Sequence, residues 1–172
     1  MRVTLLGYPN EADWMEVKRR ALVTIGKEPI MPPDAEWKRK ILEARHSPIR
    51  YLRFSFLLED IPSWVSVHLV RHHVGCQPYV KSQRNDRQSD YDRTKAPQDA
   101  PVTMIWDING EALMTIANKR LCNQASEETR SVVKMMCNEV IKVCPEFKPF
   151  LVPMCVYHGG VCHEMFPCQE RG

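Results

Sequence analysis

The chain is 172 residues long, 44% hydrophobic and 26% charged, with a formal net charge of +3. That size fits one domain burying about 70% of its unfolded surface, and so small a charge does not mark a nucleic-acid-binding protein. No apolar run approaches the ~20 residues of a membrane span, and no secretory leader pattern follows Met1, so the chain reads as soluble and cytoplasmic. Its seven cysteines are an odd number outside any regular disulfide framework, which fits a reducing compartment.

Arg2 to Gly7 reads as a first strand, closed by Tyr8-Pro9-Asn10. The spacing of Trp14, Val17, Ala21 and Ile25 predicts a helix over 11–25, ended by Gly26. After a proline-broken stretch, Asp34 is placed to cap a second helix through about Ala44. The clusters Lys18-Arg19-Arg20 and Lys38-Arg39-Lys40 read as solvated helix faces. His46-Ser47-Pro48 ends the second helix, and Leu52, Phe54, Phe56 and Leu58 then alternate as a half-buried strand.

The stretch from Trp64 to Arg84 organises the rest. It begins as a helix with Ser63 as N-cap and is expected to run close to Gly75. A period of 3.6 puts Trp64, His68, Arg71 and His72 on one face, while Val65, Leu69, Val67, Val70 and Val74 are placed to pack a core. Buried cations need partners, and cations in a last helical turn also complement the helix dipole. Arg71, His72 and His73 are followed by a turn and by Lys81, Ser82, Gln83 and Arg84, a set that fits either helix capping or an anion pocket.

Downstream, charges alternate from Asn85 to Lys95, as in a solvated loop or an assembly surface. Tyr79 and Tyr91 are the only aromatics there, too few for a stacking nucleic-acid platform. Val102–Ile108 reads as a strand, and Asn109 as the cap of a helix to about Leu121 whose inward stripe is Leu113, Ile116, Ala117 and Arg120. Ser126 caps a last helix, 127–143, with core positions Val132, Val133, Met136, Cys137 and Val140. From Leu151 the tail is rich in Cys and His. Cys155, Cys162 and Cys168 are weak metal candidates without a C-x2-C pair, so packed, reduced thiols and no metal are the expectation.

Arg71-His72-His73, a short loop and Ser82-Gln83-Arg84 resemble the signature of the flavin-dependent thymidylate synthases, an Arg-His-Arg triplet, a loop and Ser-x-Arg. His46-Ser47-Pro48 and Phe54-Ser55-Phe56 upstream, and Trp106–Asn109, Leu113-Met114, Arg120, Ala125, Glu128 and Arg130 downstream, follow the same family's order. The chain is similar to a divergent, shortened member. His73 replaces an arginine, the loop lacks the usual Asn-Glu, Glu111 stands where an arginine is customary, and 85–101 is abbreviated.

The resemblance, which spans roughly His46 to Pro145, implies a single α+β domain over 1–150 with an antiparallel-rich sheet packed with helices, and the residues themselves set off a Cys/His-rich tail over 151–172. It implies reductive methylation of C5 of dUMP or a related pyrimidine nucleotide, with FAD as cofactor and methylenetetrahydrofolate and NADPH as co-substrates. Arg120 and Ser82 are the implied catalytic residues. His46, Ser47, Arg71, His72, His73 and Asn109 are implied at the flavin, and His68, Arg71, Ser82, Gln83, Arg84 and Arg120 at the nucleotide, in a homotetramer with shared sites. The alternative is a nucleotide- or flavin-binding relative that performs no methylation and has a regulatory or assembly role.

Overall fold

In the computed structural model, residues 1–87 and 92–168 are described; Tyr91 lies outside them. The architecture is a four-stranded antiparallel sheet in the order β1-β2-β4-β3, with helices on one face. The strands are β1 (Arg2–Gly7), β2 (Arg53–Pro62), β3 (Cys76–Val80) and β4 (Pro101–Asn109). The helices are α1 (Glu11–Val23), α2 (Ala35–Glu43), α3 (Ser63–Val70), α4 (Gly110–Arg120), α5 (Glu127–Val143) and the short α6 (Met154–Tyr157). The mixed α+β class expected from the sequence is the class observed.

Alternation decides which face is covered. Phe54, Phe56 and Leu58 of β2 and Val102, Met104, Trp106 and Ile108 of β4 are buried beneath Leu113, Ile116 and Ala117 of α4 and Val132, Met136 and Val140 of α5. Phe147, from the turn after α5, meets Phe54 edge-on at 5.2 Å. On the opposite face Tyr79 pairs with Ile105, and both are exposed. Register shifts bend β1 between Leu5 and Gly7 and β2 between Leu58 and Ile61, where Asp60 adopts a φ of +54°.

Several expectations are corrected. α1 stops at Val23, so Ile25 is exposed rather than packed. Lys38 is buried, not solvated: its Nζ sits 5.2 Å from the centre of the Trp14 ring and donates to Glu11 Oε1 at 2.5 Å. α3 ends at Val70 instead of near Gly75, with Ser63 as its first residue and not its cap, and Val67 and Val74 are exposed. The residues after Gly75 form an edge strand that the sequence reading took for a loop. Pro78 is tolerated there because only one edge of β3 is paired.

Gly75 is the hinge of this change. Its φ of +74° is open to glycine, and a Cβ there would lie 2.3 Å from Asn109 Nδ2. Its carbonyl accepts from the Asn109 backbone N–H at 2.9 Å, so the loop after α3 is clamped against the β4–α4 junction.

Candidate functional site

Arg120, in the last turn of α4, is where the site assembles. Its buried-face neighbours Leu113, Ile116 and Ala117 aim that edge of the helix toward α3. The Nε of Arg120 donates to His72 Nε2 at 2.8 Å, and a terminal nitrogen donates to the His68 carbonyl at 3.2 Å. An acceptor Nε2 means a neutral His72 with its proton on Nδ1. Burial, then the charges of Arg120, Arg71, His73 and Lys119, push the His72 pKa down to about 4. Burial and the nearby Arg71 charge also lower that of Arg120.

The exposed Arg71 is the C-cap of α3, so the three sequence candidates Arg71, His72 and Arg120 do converge. Lys119 joins them, a residue the sequence reading passed over because it lies on the exposed side of α4. Among the described residues, none of Arg71, Lys119 and Arg120 is ion-paired to a carboxylate, whereas Arg2, Arg19, Arg20, Arg39, Arg50 and Arg84 all are. An unneutralised cation cluster around a neutral imidazole is an anion-binding arrangement.

His68 stacks edge-on with Trp64 at 5.3 Å, and its Nδ1 lies 3.4 Å from Oγ1 of the buried Thr129, a contact the sequence did not suggest. His73 is exposed, its Nδ1 3.2 Å from the Arg71 carbonyl. Ser82 and Gln83 follow β3, and the Ser82 Oγ accepts from the Arg84 N–H at 3.3 Å. Arg84 forks onto both oxygens of Asp86, at 2.9 and 2.6 Å. Cys76 is the first residue of β3, paired with Ile108, and burial pushes its thiol up to about 11, which keeps it protonated at neutral pH.

Of the residues expected at the flavin, His46 and Ser47 lie apart from the cluster. His46 and Ser47 line an 820 Å³ cavity with Arg20, Trp37 and Lys40, and neither Arg71 nor Arg120 reaches it. Ile49, close behind them, packs against Gly110 at the start of α4. Arg120 is at the other end of that helix, roughly 15 Å away at 1.5 Å per residue. Asn109 is buried and engaged: its Oδ1 accepts from the Ala112 N–H at 2.8 Å as the α4 cap. Glu111 pairs with Arg50 at 2.6 Å.

The tail thiols Cys155, Cys162 and Cys168 line a separate cavity beyond Lys119, together with Cys122, which the sequence reading did not connect to them because thirty-odd residues intervene. Arg45 was also missed. It sits at φ +48° and reaches Thr115, Asn118 and Tyr157, tying α2 to α4 and α6.

Residues 88–146 match the family model Thy1, thymidylate synthase complementing protein. Among curated proteins none matches the chain. Thymidylate synthase X from Helicobacter pylori, solved with FAD and dUMP, superposes with a TM-score of 0.68 at 14% identity, over 91% of this chain and 99% of that one. The UMP/dUMP methylase PolB from Streptomyces cacaoi, bound to 5-Br dUMP, gives 0.68 at 17% identity, over 88% and 96%. The chain has the fold of the flavin-dependent thymidylate synthases and carries, over residues 88–146, the sequence pattern of the thymidylate synthase complementing proteins.

Proposed function

We propose that this protein is a flavin-dependent thymidylate synthase-type enzyme that methylates C5 of dUMP or a related pyrimidine nucleotide. The observation that carries the reading is the cation cluster of Arg71, Lys119 and Arg120 around neutral His72, without an acidic partner among the described residues. A nucleotide or dinucleotide phosphate supplies the missing negative charge. Arg120 is the catalytic residue. Its planar donors, oriented by His72 and the His68 carbonyl, stabilise the charge that develops on the pyrimidine edge as C5 becomes nucleophilic. His72 stays neutral so that it orients the guanidinium by accepting from it. Arg71 and His73 hold phosphate oxygens.

The open positive charge at Arg71 and the exposed imidazole of His73 fit the pyrophosphate of FAD, which when bound supplies the reducing equivalents. Methylenetetrahydrofolate provides the carbon and NADPH recharges the flavin. His46 and Ser47 stand at the other end of α4 from Arg120, so within one subunit the two halves of the site do not meet. A homotetramer that brings His46 and Ser47, or Ser82, Gln83 and Arg84, to the Arg120 of a neighbour accounts for this separation. The Arg84–Asp86 pair is local and exposed, and an exposed pair worth about 0–1 kcal/mol exchanges readily for a phosphate.

One observation favours a non-methylating relative: Asn109 is committed to its helix cap and Glu111 to Arg50, which diverts two positions from the flavin side. Flavin absorbance in the purified protein, combined with tritium release from C5-labelled dUMP, separates the two readings. Release that requires FAD supports the enzyme. Bound flavin or nucleotide with no release supports the relative.

A further inference from the structure

We propose that Thr129 is a positioning residue that fixes the neutral His68 ring with its proton on Nε2, so that His68 offers the site a hydrogen-bond donor for a uracil-type carbonyl. The ligand half rests on the nucleotide reading of the cation cluster given above. The tautomer rests on α3 and α5 alone.

Two polar side chains, Asn118 and Thr129, are wholly buried among the described residues. Asn118 is spent on the Phe150 and Val152 carbonyls, whereas Thr129 faces a ring of the site. A hydroxyl has one proton to give and can accept twice, so the partners of Thr129 decide where its proton goes. Ser126, the N-cap of α5, accepts from the Thr129 N–H at 3.4 Å and donates its own hydroxyl proton to Thr129 Oγ1 at 2.9 Å. A helical threonine often returns its proton to the carbonyl four residues back. Here that carbonyl, of Ala125, accepts from Arg130 at 2.7 Å instead. Among the described residues the other partner of Oγ1 is His68 Nδ1, at 3.4 Å. Thr129 therefore donates, Nδ1 accepts, and the ring proton of His68 lies on Nε2.

Two further contacts hold the ring in place. Trp64, one turn earlier on α3, packs edge-on against it, and Arg120 donates to the His68 carbonyl at 3.2 Å. With Nδ1 turned to α5, Nε2 lies on the opposite edge of the imidazole, and the residue is only half-buried. The donor therefore stands beside the guanidinium that meets the pyrimidine. Next to Arg71, Lys119 and Arg120, one neutral donor adds little grip on a phosphate. What it adds is choice: an N–H pairs with a carbonyl oxygen and opposes the exocyclic amine of a cytosine. The other tautomer would reverse that preference.

The test reads the His68 tautomer from long-range proton–nitrogen NMR spectra of the full chain at about pH 8, with His68→Gln assigning the signals. The parent should show Nε2–H. Thr129→Val removes the hydroxyl at nearly constant size and should give Nδ1–H or a mixture. The same variant should lower the preference for dUMP over dCMP about ten-fold in calorimetric titrations, the worth of one neutral hydrogen bond. Thr129→Ser, which keeps the hydroxyl, should restore both readouts. Nδ1–H in the parent overturns the positioning role without any variant. So does a Thr129→Val protein that keeps the parent's tautomer and preference, the result a packing role alone would give. Parent protein with the Nε2–H tautomer that binds neither nucleotide overturns the nucleotide reading and the carbonyl choice with it, while a tautomer that shifts in Thr129→Val still supports the positioning of His68.

Discussion

At the scale of single residues, Arg120 is distinguished by what it lacks. Its partners are a neutral ring and a carbonyl, so Arg120→Ala strands no opposite charge. The loss of two hydrogen bonds from a charged group predicts a stability change of roughly 1–3 kcal/mol, against a fall of about 10²–10³ in turnover. Arg120→Lys should recover little of the rate, because an ammonium does not reproduce the fork. Melting temperature and dUMP-dependent tritium release on the same variant are the check. Full turnover in Arg120→Ala would sink its catalytic role.

His72 makes a pH prediction. Its pKa is depressed from 6.5 to about 4, so between those values the unfolded chain binds more protons than the folded one. Its contribution is complete above pH 6.5 and is lost as pH falls toward 4. Since the ring is only half buried, solvent screening reduces the effect to about 1–2 kcal/mol. Denaturant titrations from pH 7 to 4 should show a shallower decline for His72→Gln. An unchanged slope in that variant would show that His72 does not carry the linkage.

Among the elements, most boundaries were legible because periodicity and caps agree. Alternation marked β2 and β4, and Asn109 and Ser126 cap α4 and α5 as read. The junction between α3 and β3 was not legible. Glycine after a cationic turn looks like a helix C-cap, yet here its positive φ serves the entry into an edge strand. β3 has five residues including a proline, so it carries no alternation long enough to read. At the site, the helical face drawn through His68, Arg71 and His72 was not realised, because α3 ends at Val70 and Arg71 is already its C-cap. The distance between the His46 and Arg120 ends of α4, and the approach of Cys122 to the tail, depend on tertiary contacts that no local pattern encodes. Gly75→Ala tests the junction: a strained left-handed residue pressed onto Asn109 should cost roughly 2–4 kcal/mol by chemical denaturation. A variant within about 0.5 kcal/mol of the parent would show that the clamp yields easily.

For the whole molecule, the helices leave one face of the sheet open, with Tyr79 and Ile105 paired across it. Light scattering should give several times the 20.0 kDa of one chain. A sharper check is complementation. Arg120→Ala and Arg84→Ala should each be inactive alone, and their mixture should regain about a quarter of native turnover if the two residues act from different subunits. No recovery from mixed, properly assembled oligomers would place both in one chain's site.

The ring contact between Trp64 and His68 gives the site its own optical signal. Trp14 and Trp106 are sealed in the core, where ligands do not reach them, whereas half-buried Trp64 faces a site histidine. An anion arriving at the cluster alters the field on the His68 ring, and the indole emission should change with it. Titrating dUMP against intrinsic fluorescence would then yield a dissociation constant without label or turnover, and Trp64→Phe should erase the signal while leaving binding by calorimetry intact. A quench that persists in Trp64→Phe would trace the signal to a different indole.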